Sequence, residues 1–217
     1  MNDTEQLLAA AEKTARTTPR REKYPLPAPL PADGVARAEA ALGFALPPLL
    51  TALYTRIANG GFGPEYGLMP LIGDRAPDGE ESAVAQYLAH RRSAAEEGEW
   101  PWPEGVLPIC SLGCGMYSCV DCRSEHTTVL LFEPNADEPE HAWYVDQPDL
   151  AQWLRSWLDG TAWYSEESED EGADMAPWPD FSARVWPMDG RVRPVRGSRT
   201  ATARPAGTSW IPRPSDG

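Results

Sequence analysis

Residues 30–63 read LPADGVARAEAALGFALPPLLTALYTRIANGGFG, and after three further residues 67–73 read GLMPLIG. Val35, Ala38 and Leu42 recur at i, i+3 and i+7, which predicts a short helix over 34–43 with Gly43 as its stop. A second helix is predicted from about Pro47 to Ala58. Pro47 and Pro48 sit where a missing amide donor costs least, and Leu49, Leu50, Leu53, Tyr54 and Ile57 share one face. Asn59-Gly60-Gly61 then offers residues that tolerate positive φ. The apolar run 67–72 predicts a short strand.

Outward from this stretch the pattern continues. Upstream, Leu7, Leu8, Ala11 and Ala15 predict an amphipathic helix over 3–17, with Asp3 as its cap. The proline-dense PRREKYPLPAPLPADG (19–34) cannot be helical through its middle. Downstream, 80–95 favours helix, with Val84, Tyr87, Leu88 and Arg91 on one side. Residues 106–132 read as β: VLPICSLG, a turn at 113–115, MYSCVDC, a polar turn at 123–126, then TTVLLFEP. A strand AWYV (142–145) precedes a closing helix at 148–158, whose Leu150, Trp153, Leu154 and Trp157 form a buried stripe ended by Gly160. This order predicts an α+β fold: one domain, a largely antiparallel sheet packed with helices, and extended terminal segments.

Composition narrows the function. The chain has 217 residues, of which 41% are hydrophobic and 24% charged, and its 23 prolines are about twice the usual share of roughly 5%. The prolines cluster in connections and tails, so the domain is smaller than the chain: 1–29 is an N-terminal helix and linker, 30–160 the domain. Residues 161–217 begin with the acidic run SEESEDEGAD (165–174) and end in a basic Pro/Gly-rich tail, read as largely disordered. The last 36 residues carry seven arginines against two aspartates, so the rest of the chain holds −19 of a formal net −14. A basic tail able to fold back on an acidic body is one reading of that asymmetry. Net −14 and a pI near 4.6 argue against direct nucleic-acid binding, which needs cationic side chains to displace counterions. The first 17 residues lack the uninterrupted apolar core of a signal peptide, and no run approaches membrane-span length, so a cytoplasmic location with reduced cysteines is expected.

The ordered set Glu39, Leu42, Gly43, Leu46, Pro47, Asn59, Gly60 and Gly61, followed by the apolar 67–72, resembles the signature of the SUKH superfamily. That group includes Smi–Knr-like fungal regulators and many bacterial immunity proteins. WPEGVLPICSLGCGMYSCVDC with VLLFEPN resembles its central hairpin in actinobacterial members, and LAQWLRSWLDG its closing helix. The resemblance covers roughly 30–160. It implies a non-enzymatic protein-binding module, most often one that neutralises a toxin, and says nothing of the segments outside it.

Residues able to carry chemistry are few. Cys110, Cys114, Cys119 and Cys122 share one predicted hairpin. Structural thiols in a reduced core are the preferred reading, with a four-cysteine zinc site second and a redox CxxC third. Zinc knuckles are spaced differently, and Cys119 and Cys122 would face opposite sides of a strand. His90, His126 and His141 read as ordinary surface histidines. GCGM lacks the lysine and helix of a phosphate loop, so no cofactor is expected and no active site is found. Partner contact falls instead to Trp100 and Trp102, which flank Pro101, and to Glu39, which alternatively hydrogen-bonds the loop that follows it. Trp178, Trp186 and Trp210 are interface anchors or staples of the C-terminal extension. The expected partner is a basic toxin domain, a nuclease or deaminase. The alternatives are an endogenous partner of a Smi–Knr-type regulator or scaffold, and a zinc-stabilised module.

Overall fold

The computed structural model describes residues 2–18, 25–73, 81–96, 101–136, 138–162 and 175–185. The acidic run, the tail from 186 onward, Trp100, Trp186 and Trp210 lie outside them. The described chain is an α+β fold. Helices α1 (Asp3–Thr17), α2 (Ala32–Leu42), α3 (Pro48–Ala52) and α4 (Ala83–Glu96) precede strands β1 (Val106–Gly113), β2 (Met116–Asp121), β3 (Val129–Phe132) and β4 (Trp143–Gln147). Then come α5 (Leu150–Asp159), a two-residue β5 (Ala176–Pro177) and the short α6 (Phe181–Val185). The sheet is an antiparallel meander, its strands lying side by side in chain order. All four residues of β3 are buried, so both faces of the sheet are covered there.

Local chemistry sets the boundaries. Asn2, one residue ahead of the expected Asp3, caps α1: its Oδ1 accepts from the Glu5 amide at 2.9 Å. Helix α2 starts directly after Pro31 and ends on Gly43 at φ +79°. The helix expected to run to Ala58 is α-helical only to Ala52. Leu53–Ile57 then widen into a π-turn that buries Leu53, Tyr54 and Ile57.

The strand expected over 67–72 is reduced to a single bridge between Leu68 and Cys110. The Asn59-Gly60-Gly61 loop takes up the hydrogen bonds that a longer ladder would need. Gly61 N donates to Leu68 O at 2.7 Å and Leu68 N donates to Phe62 O at 2.6 Å. The Asn59 carboxamide bonds both Leu71 N and Ile72 O at 2.9 Å, so it replaces a neighbouring strand. Gly60, at φ +86°, lies so close that a Cβ would stand 2.7 Å from Leu68 O.

On α4 the buried side is Ala83, Val84 and Tyr87, continued by half-buried His90; Leu88, expected to be inside, is 36% exposed. It stands four residues after Val84 but at the solvent edge of the arc that Ala83, Val84, Tyr87 and His90 define. The β1–β2 hairpin turns through Cys114 (φ +51°) and Gly115 (φ +81°), two positive-φ residues as a type I′ turn requires. Two pieces read from sequence as lying outside the 30–160 domain pack on it. Helix α1 buries Leu7, Leu8, Ala11 and Ala15 and lies against α5, where Arg155 meets Asp3 at 2.5 Å. Residues 175–185 form a strap that pairs with β4 and buries Trp178 and Phe181.

Candidate functional site

Register places aromatic side chains in a row. Tyr117 of β2 pairs with Phe132 of β3, and Phe132 with Trp143 of β4, so the three share one sheet face. Trp102, entering from the loop before β1, packs its ring 5.0 Å from Phe132 and 4.9 Å from Trp143. Its indole Nε1–H donates to Val106 O at 2.8 Å. His90 of α4 stacks flat on Trp102 with centroids 4.0 Å apart. A cleft of about 440 Å³ opens here, lined by His90, Pro101, Trp102, Tyr117, Phe132 and Pro134. Burial holds the His90 imidazole down at about 4, so it is neutral at physiological pH. The Gln86 carboxamide nitrogen lies 2.9 Å from His90 Nε2; with the amide donating, the ring carries its proton on Nδ1. The cleft is therefore uncharged and aromatic.

The sequence-predicted partner residues fall differently. Trp102 was expected as an exposed anchor but is 3% exposed, because the aromatic row and the Val106 carbonyl satisfy both its ring and its N–H. His90 is likewise a packed core-edge residue, not a surface histidine, whereas His126 and His141 are exposed. Glu39 uses Oε1 to accept from the Leu46 amide at 2.8 Å, which ties α2 to the entry of α3.

The four cysteines do not converge. Cys110 and Cys119 are buried in the β1–β2 ladder, Cys114 is exposed at the turn, and Cys122 is half-buried beyond the end of β2. Their thiols face main-chain carbonyls: Cys110 that of Pro64 at 3.6 Å, Cys119 that of Tyr117 at 3.8 Å, Cys122 that of Val120 at 3.7 Å. Burial pushes the Cys119 thiol well up and, with the nearby Asp121 carboxylate, that of Cys122 to about 12. Neither is a thiolate nucleophile at neutral pH. Among the described residues no group of three or more His, Cys, Asp and Glu is placed to hold a metal ion. No helix among them is long and apolar enough to cross a membrane.

A charged cluster escaped the sequence reading. Asp121, at the end of β2, is 1% exposed, and Arg184 of α6 grips both its oxygens at 2.7 and 2.8 Å. Arg184 also donates to Glu104 O at 2.9 Å, and Asp121 Oδ1 accepts from Arg123 N at 3.0 Å. Sixty-three residues separate the pair, and no local pattern links them. The only sequence signal was a carboxylate ending an otherwise apolar strand.

Comparison with known families decides the affiliation. The model of the SMI1 / KNR4 family (SUKH-1) matches residues 29–156, more than half of the chain. The chain belongs to the SMI1 / KNR4 family. The match takes in Glu39, the Asn59-Gly60-Gly61 loop, the aromatic cleft, all four cysteines and Asp121. The SUKH-1 match leaves out α1 and the 175–185 strap, so Asp121 lies inside the matched region and the arginine that closes on it lies outside. A search of curated proteins finds no match to this chain.

Proposed function

We propose that this SUKH-1 protein is a non-enzymatic binding module that acts in the cytosol as an immunity protein, neutralising a basic toxin domain by direct contact. Membership of the SMI1 / KNR4 family carries this reading, and the net charge of −14 refines it. An acidic body accelerates encounter with a cationic surface and penalises like-charged competitors. Toxins that act on nucleic acid carry such surfaces, which makes a nuclease or deaminase domain the fitting target. Trp102 contributes to the contact as the floor of the aromatic cleft, with Trp100 beside it in sequence. The neutral thiols and the uncharged His90 fit recognition better than catalysis.

Affinity capture of the tagged chain from its native lysate, with mass spectrometry of the bound material, tests this. One dominant large protein with a toxin-like C-terminal domain supports the immunity role. A set of housekeeping proteins supports a Smi–Knr-type regulator instead and removes the toxin.

A further inference from the structure

We propose that residues 175–185 occupy, in cis, a recognition groove that fits an extended, arginine-bearing segment of a protein partner. The groove consists of the open edge of β4, the Trp143 ring and the buried Asp121 carboxylate. The identity of the partner rests on the binding role proposed above; the groove itself is testable without a partner.

Three observations carry the inference. First, the four strands β1 to β4 lie within the SUKH-1 match and pair with one another in chain order, whereas the strap lies outside it and meets the sheet only at the β4 edge. Second, the strap binds as peptides bind. Ala176 and Pro177 pair with Val145 and Tyr144, and Trp178 N donates to Trp143 O at 2.9 Å, which is strand addition to a sheet edge. Trp178 and Phe181 are the aromatic anchors, 5% and 2% exposed, each beside Trp143. Third, the Arg184 guanidinium fork fills both oxygens of a carboxylate that is itself 1% exposed. Without the strap, Asp121 would lose both guanidinium donors and keep, among those described, the Arg123 amide. A cleft with that unmet demand selects a planar, bidentate cation over a point charge. The hold is small in extent: two paired residues, two rings and one arginine. An outside segment with the same three features competes for the site, and its apparent affinity is reduced by the fraction of time the strap is bound.

The experiment has two arms on the full-length chain. In the wild type, hydrogen exchange at the Trp178 amide should run at least about tenfold faster than at the β3 amides, because the strap opens without global unfolding. Equal protection at both places overturns the proposal. In the second arm, a labelled peptide of residues 175–185, MAPWPDFSARV, is titrated against the wild type and R184A. Binding to R184A should be about tenfold tighter, and a peptide carrying the same Arg184→Ala change should lose it. Equal, weak binding to both proteins overturns the proposal. If R184A does not fold, R184K keeps the charge but not the fork and should shift affinity in the same direction. Peptide binding with no toxin captured from lysate supports the groove and removes the immunity role. A toxin captured equally by wild type and R184A, with no peptide binding, does the reverse.

Discussion

Glu39 commits one carboxylate oxygen to the Leu46 amide, seven residues on, and so fixes the angle at which the second helix leaves the first. Glu39→Ala leaves that half-buried amide unmet and should cost about 1–2 kcal/mol, read as a lower denaturation midpoint at unchanged slope, while Glu39→Gln should recover most of it. Gly60 is more demanding, since a side chain there would meet backbone at 2.7 Å in a positive-φ conformation. Gly60→Ala should cost at least about 2 kcal/mol by the same measurement. His90 couples stability to acidity. Its folded value of about 4 lies below the ordinary 6.5, so between those limits the unfolded chain binds a proton that the folded chain refuses. Its contribution is whole above pH 6.5 and drains away as pH falls towards 4. His90→Phe should flatten the dependence of the midpoint on pH within that window, and the wild-type imidazole should show no NMR titration above pH 5.5.

Among the elements, those that keep one strict period were readable. Leu150, Trp153 and Leu154 are buried in α5, with Trp157 partly so, and the turn at Gly113-Cys114-Gly115 stood out, though not its type. What failed to show depends on partners far along the chain. The 67–72 segment has strand composition, yet the Asn59 side chain takes its hydrogen bonds. Trp102 looks exposed beside two prolines until β3 and β4 bring Phe132 and Trp143 to it. The Asp121–Arg184 pair has no periodicity to reveal it, and thus half of the candidate site was invisible. Trp153 and Trp178 let the two kinds of element be compared. Trp153→Ala, inside α5 at 0% exposure, should cost about 3–5 kcal/mol of global stability. Trp178→Ala, on the strap, should cost distinctly less in a denaturant titration, because the strap's own opening limits the loss.

At the scale of the whole molecule, charge dominates what a partner meets. Six described arginines are already neutralised by the chain's own carboxylates: Arg16, Arg37, Arg56, Arg123, Arg155 and Arg184. The acidic surplus is left to act at a distance. With a captured basic partner, the association rate should fall steeply between low and physiological salt while dissociation changes little; a flat rate would mean that charge does not steer the encounter. The contact between α1 and α5 has a further consequence. Strands β1 to β4 form a meander whose neighbours are joined by short connections, so its closure costs little chain entropy. The Asp3–Arg155 contact instead spans 152 residues. During synthesis, α1 leaves the ribosome long before α5, and Leu7 and Leu8 must wait for it to complete their cover. An early-made helix is thus among the last to dock, and until then it is a natural place for a chaperone to hold on.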